Sequence, residues 1–121
     1  MEKNPSDRTT QEVLEHHLQY CQAANLEETM KDYCEASVIV TPNGPVKGLD
    51  EISTFFRDSM ENCLPGNSKY VSLKRYICDE IAYTVWKAES ELYDVPFGTD
   101  TFIIRNGKIV QQSFAGILNK K

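Results

Sequence analysis

Two side chains in this sequence stand out as candidates to move protons near neutral pH from within apolar surroundings: His17 and Asp100. An imidazole titrates close to neutrality unaided. A carboxylic acid does so only when apolar surroundings penalise its charged form. The spacing predicts such surroundings for both. At about 100° per residue, Val13, Leu14, His17, Leu18, Cys21 and Ala24 fall on one arc of a helix. Glu12, Glu15, His16, Gln19 and Gln22 fall on the opposite arc, so His17 is central in an apolar face and His16 is on the wet one. Asp100 alternates with Phe102 and Ile104, which puts the three on one face of a strand. A carboxylate there is costly unless paired or protonated. If the two faces meet, His17 and Asp100 titrate as a coupled pair. The plainer reading makes each a hydrogen-bonded core residue without chemistry.

An aromatic set surrounds these two in the sequence pattern: Tyr20, Tyr33, Phe55, Phe56, Tyr83, Phe102 and Phe114, with Met60 at helical spacing beside Phe56. Such a set suits either a hydrophobic core or the walls of a pocket for a flat apolar molecule, oriented by tyrosine hydroxyls. Trp86 shares a strand face with Ala82, Thr84 and Ala88, opposite Tyr83 and Val85. That face is expected to be the outer, convex one, which makes Trp86 a dimer-interface candidate.

Other chemistries find little support. Cys21, Cys34, Cys63 and Cys78 form no C-x-x-C pair, and both histidines lie apart from any cysteine pair, so no metal site is expected. The glycines are isolated, and Lys74, Arg75 and Lys87 are too scattered to form a phosphate site. No cofactor is implied. Thirteen basic against eighteen acidic residues leave a net charge of −5, which argues against nucleic-acid and anionic-membrane partners. The polar N-terminus lacks the apolar stretch of a secretory signal, and a cytoplasmic location with free thiols is expected.

The elements that must hold these residues follow from 121 residues with 40% apolar content, the size of one domain. Residues 1–8 and 119–121 read as frayed tails around a single domain over 9–118. A helix capped by Thr9 or Thr10 runs to about Ala24, and a short one follows from Leu26 to about Tyr33. Ser37–Thr41 is a strand, the Pro42-Asn43-Gly44-Pro45 stretch is a turn, and Val46-Lys47 is a return stub. A third helix spans about Leu49 to Cys63. Four long strands then follow: Tyr70–Cys78, Ile81–Leu92, Phe97–Arg105 and Lys108–Leu118. Asp79-Glu80 and Asn106-Gly107 are tight hairpin turns between them. The expected class is α+β: a curved, mixed, largely antiparallel sheet wrapped around three N-terminal helices, enclosing a cone-shaped pocket.

That order resembles the nuclear transport factor 2-like superfamily, with its cystatin-like fold, over about residues 10 to 118. Within it the chain is most similar to SnoaL-like polyketide cyclases and ketosteroid isomerases. The resemblance rests on Tyr33-Cys34-Glu35-Ala36-Ser37-Val38-Ile39-Val40 with Pro42, Gly44 and Gly48, on Ile52 with Phe55-Phe56, and on Phe97-Gly98-Thr99-Asp100-Thr101-Phe102 with Arg105 through Val110. It implies that Asp100 matches the isomerases' protonated aspartic acid and that His17 falls where their tyrosine donor sits. It also implies pocket walls at Tyr33, Phe56 and Tyr83, and a two-fold dimer through the convex face. The isomerase general base has no counterpart, because Thr41 occupies its place and a hydroxyl cannot abstract a carbon-bound proton. Two readings of function follow. One is a binder of a small, mostly apolar organic molecule, with isomerase, dehydratase or cyclase chemistry left open. The other is a noncatalytic dimeric accessory module.

Overall fold

The structure is a computed structural model and describes residues 5–121. Helix α1 (Thr10–Gln22) starts at a reciprocal cap, in which Thr9 accepts from the Glu12 backbone and the Glu12 carboxylate accepts from Thr9. Its apolar stripe buries Val13, Leu14 and His17. Helix α2 (Leu26–Met30) is capped by the Asn25 side chain and is shorter than the pattern predicts. The chain turns extended at Tyr33, where strand β1 (Tyr33–Thr41) begins. Strand β2 (Gly44–Lys47) returns from the Pro42–Asn43 turn into helix α3 (Gly48–Asn62), whose inner stripe buries Ile52, Phe56 and Met60.

The remaining strands are β3 (Lys69–Cys78), β4 (Ile81–Glu89), β5 (Tyr93–Arg105) and β6 (Lys108–Lys120). Asn106 and Gly107 take φ values of 51° and 73° at the β5–β6 turn, the left-handed pair that a two-residue hairpin matching strand twist requires. The six strands form one sheet in the order β2-β1-β6-β5-β4-β3. Only β1 with β6 is parallel, so the sheet is mixed, and the helices pack on one face. The fold is therefore α+β, as the pattern predicts.

The core lies between that inner face and the helices. Val13, Leu14, Ile39, Ile52, Phe102 and Ile109 are fully buried in it. Each contributes about 1.5–3 kcal/mol of transfer free energy. Among the described residues no helix covers the opposite, outer face, and Val40, Tyr76, Tyr83 and Ile117 are exposed.

The expected tails are corrected in part. Residues 1–4 lie outside the described residues. Pro5–Asp7 forms a 3-10 turn, and Arg8 then reaches across the fold, donating to Asp32 at 3.1 Å and to the Gly107 carbonyl at 2.6 Å. At the other end β6 continues to Lys120, because β5 begins at Tyr93 and pairs with it there. Lys121 also donates to the Leu92 carbonyl.

Candidate functional site

Strand alternation and register build the site. Across the inner face, Arg75 of β3 pairs with Thr84 of β4, Thr84 with Asp100 of β5, and Asp100 with Phe114 of β6. One step along, Trp86 pairs with Gly98 and Gly98 with Gly116. Those two glycines give the Trp86 and Phe114 rings room to lie over the sheet. A Cβ on Gly98 would stand 2.5 Å from Trp86 Cζ2, and one on Gly116 would stand 3.2 Å from Phe114 Cζ. The two rings stack, with centroids 6.3 Å apart and planes 19° from parallel.

Between this face and helices α1 and α3 lies a cavity of about 630 Å³. Its walls include Leu18, Phe55, Phe56, Tyr70, Trp86 and Phe114, and its polar lining includes His17, Thr41, Thr84, Asp100 and Gln112. A second hollow, of about 400 Å³ beside Val46, Thr54 and Phe55, is lined by no buried polar side chain.

Asp100 is the centre of a hydrogen-bond chain. Trp86 Nε1 donates to its Oδ2 at 2.8 Å, and Gln112 Nε2 donates to its Oδ1 at 3.1 Å. The Tyr33 hydroxyl in turn donates to Gln112 Oε1, which fixes the amide so that its nitrogen faces the carboxylate. Burial pushes the Asp100 pKa up to about 6, against the pull of the Trp86 and Gln112 bonds. Asp100 can therefore change charge near neutrality while both its oxygens stay oriented.

His17 lines the same cavity but is held by rings instead. It packs edge-on against Phe102 at 5.1 Å and against Tyr33 and Phe56 at 6.0 Å each. Burial, with the nearby His16, lowers its pKa to about 4, so it is neutral at pH 7. Its Nδ1 is buried with no hydrogen-bond partner among the described residues. The expected His17–Asp100 hydrogen bond is absent among the described contacts, because Trp86 and Gln112 occupy the carboxylate. This corrects the coupled pair: the two groups share a cavity and shift away from ionisation separately.

The remaining candidates divide by face and depth. Thr41, Phe55, Phe56 and Phe114 line the cavity. The Thr41 hydroxyl is engaged in its own turn, donating to the Gly44 carbonyl at 2.9 Å and accepting from Asn43 N at 3.1 Å. Phe102, Met60 and Tyr33 are buried in the core behind the wall. Tyr20 is half-buried against His16, with centroids 4.7 Å apart, away from the cavity. Tyr83 is a correction: it is 38% exposed on the outer face, stacked on Tyr76. Trp86 is the matching correction, since it points inward to Asp100 rather than outward to a partner. The alternation of β4 was legible, but its two faces are exchanged relative to expectation. Helix α1 packs against β4, where Ala82 is fully buried, while Ala88 is buried in a second cluster with Leu64 and Val95.

Gln112, Thr84 and Arg75 carry polar functions that sequence reasoning did not single out. Gln112 was findable, since it alternates with Phe114 on the strand beside Asp100. A second polar cluster lies outside the cavity. Fully buried Asp32 accepts from Arg8 and contacts His16 Nδ1 at 2.9 Å, while His16 Nε2 lies 3.3 Å from Glu28. It ties Arg8 to α1 through Asp32 and His16, and Arg8 also reaches the β5–β6 turn at Gly107. The Cys21 thiol, which also lines the cavity, is pushed up to about 12 by burial, too high for a nucleophile at neutral pH. No cluster of metal-binding side chains occurs among the described residues. No helix among them is long and apolar enough to cross a membrane.

No protein-family pattern matches the sequence, and no curated protein matches it. Solved structures do match the shape. An NTF2-like protein of unknown function from Cytophaga hutchinsonii superposes with a TM-score of 0.76 over 97% of this chain and 95% of its own, at 13% identity. A candidate SnoaL-like polyketide cyclase from Jannaschia gives 0.73 over 96% and 90%, at 8% identity. A candidate ketosteroid isomerase from Kribbella flavida gives 0.74 over 89% and 77%, at 11% identity. With helices on one face of an unclosed six-stranded mixed sheet, and these superpositions over nearly its whole length, the chain has the NTF2-like, cystatin-like fold.

Proposed function

We propose that this protein binds a small, mostly apolar organic molecule in the cavity between the helices and the sheet, and that Asp100 exchanges a proton with it. One observation carries the reading. A carboxyl group held by two donors in an aromatic-walled cavity has its pKa raised to about 6. A group with that midpoint serves as acid or base at physiological pH. Burying a carboxyl group costs stability, and such costs are usually kept where the group has work to do. The candidate cyclase and isomerase among the structural neighbours are consistent with a ligand cavity on this fold, although fold alone assigns no activity.

The reaction class that fits is proton transfer next to a carbonyl, as in isomerisation, dehydration or cyclisation. His17, neutral at pH 7, serves as a hydrogen-bonding wall rather than as a charged acid. The second reading, a noncatalytic binding module, is favoured by Thr41, whose hydroxyl is engaged in its turn and supplies no second base. Either reading is compatible with a homodimer through the uncovered outer face, where Tyr76 and Tyr83 stack. Proton NMR of 2-tetralone in deuterated buffer distinguishes the two. Wild-type protein accelerates exchange of the α-protons over buffer, and Asp100→Asn loses the acceleration. Saturable binding with no acceleration leaves the binding module standing, and no binding overturns the cavity reading itself.

A further inference from the structure

We infer that the occupant of this cavity is an oxygenated organic acid: an apolar body with an anionic group at one end and a hydroxyl or carbonyl oxygen deeper in. The inference rests on the cavity reading above and adds the chemical class of ligand. It comes from the row of residues that runs across the inner face from the edge strand inward.

Arg75 lies on β3, the edge strand, and lines the cavity at its solvent-exposed side. Its side chain makes no ion pair or hydrogen bond among the described residues, and it is the only lysine or arginine among the lining residues. The one other charged residue at the exposed rim, Asp58 of α3, already accepts from Asn62 Nδ2 at 2.8 Å. A guanidinium at the mouth of an apolar cavity is suited to a carboxylate or another oxyanion, which it can grip with two parallel N–H donors.

Deeper in the same row, Thr84 is 4% exposed and its Oγ1 is buried with no partner among the described residues. His17, also 4% exposed, has an unpartnered Nδ1 in the lining of the same cavity. Both residues line the cavity, and a buried polar atom without a hydrogen bond is costly, so a ligand that reaches these atoms relieves that cost. A ligand with polar function inward as well as outward suits this lining. Neighbouring strands are about 4.8 Å apart, so the Arg75 backbone is roughly 10 Å from that of Asp100, with Thr84 between. That separation accommodates a fused or substituted ring between the two polar ends. It also keeps the ligand's anion away from the Asp100 carboxylate.

Isothermal titration calorimetry with two probes tests this. The first, 6-hydroxy-2-naphthoate, carries both polar ends, and the second, 2-naphthol, lacks only the carboxylate. At pH 7 the acid is expected to bind roughly tenfold more tightly, the value of one charge-assisted contact. Added salt weakens the acid and not the naphthol. Arg75→Gln removes the preference while leaving 2-naphthol unchanged, and Arg75→Lys retains part of it. Thr84→Val weakens both probes severalfold without loss of fold stability, since the hydroxyl has no partner to lose. Equal affinity for the two probes, or a preference that survives Arg75→Gln, overturns this inference and leaves the ligand cavity standing. Failure of 2-naphthol to bind overturns the cavity reading as well.

Discussion

Asp100 and His17 impose opposite pH dependences on stability, and the two nearly cancel. For Asp100 the folded pKa of about 6 lies above the ordinary 3.8. Between those values the folded state holds a proton that the unfolded chain has released. The Asp100 contribution is complete below pH 3.8 and is lost as pH rises through 6. For His17 the folded value of about 4 lies below the ordinary 6.5. There the unfolded chain takes up a proton that the folded state refuses. The His17 contribution is complete above pH 6.5 and is lost as pH falls through 4. Each difference converts to at most about 3 kcal/mol, with slopes of opposite sign over nearly the same window. The wild-type protein should therefore show little pH dependence from this pair between pH 4 and 6.5. Single substitutions uncover each half. Relative to wild type, Asp100→Asn should gain stability as pH rises from 4 to 7, by as much as ~3 kcal/mol, because its side chain has no charge to bury. His17→Gln should lose a similar amount over the same range. Urea unfolding at four pH values gives both differences directly, and the subtraction removes every titration common to the three proteins. A constant offset between either variant and wild type at all pH values would refute the assignment of buried, separately shifted groups.

Three further outcomes are expected. Gly98→Ala should drive its Cβ into the Trp86 ring, break the 2.8 Å bond to Asp100, and cost about 1–3 kcal/mol. The chain has a single tryptophan, so an unchanged emission spectrum would show that the ring had not moved. Wild-type protein should show no steroid double-bond migration above background, and Thr41→Asp should introduce a weak rate; robust wild-type activity would refute the reading of Thr41. The outer face should pair two copies, so sedimentation at high micromolar concentration should give a dimer that Tyr83→Glu dissociates, and a wild-type monomer would count against it.

The elements were legible because their periods are strong. The apolar stripe of α1, the Asn106-Gly107 turn and the alternation of Asp100, Phe102 and Ile104 are local signals, and each corresponds to the structure within a few residues. Where β1 and β5 begin was less legible, because Cys34-Glu35-Ala36 and Asp94 have no period-two contrast. The pairing of strand ends that sets those bounds acts across the chain. The Arg8–Asp32–His16 cluster was hidden for the same reason, since its members are brought together only by the fold.

Trp86 shows what alternation cannot decide. A period of two divides β4 into Ala82, Thr84, Trp86 and Ala88 on one face and Tyr83, Val85 and Lys87 on the other, but it does not say which face meets the helices. Bulk favours the wrong answer, because Tyr83 and Val85 look more like core than Ala82 and Thr84 do. The deciding quantity is the space left between sheet and helix. Ala82 is fully buried in the core beneath the helices, whereas two steps beyond Thr84 the absence of a side chain at Gly98 opens a slot for an indole. A glycine inside a strand, two residues before an inward carboxylate, was thus the available sign that a large ring lies across it. The same geometry explains why Asp100 tolerates burial. The ring filling the slot brings its N–H to the carboxylate, and the register that pairs Phe102 with Gln112 brings the second donor. Removing the space, rather than either donor, is then the change that disturbs both cavity shape and proton affinity together.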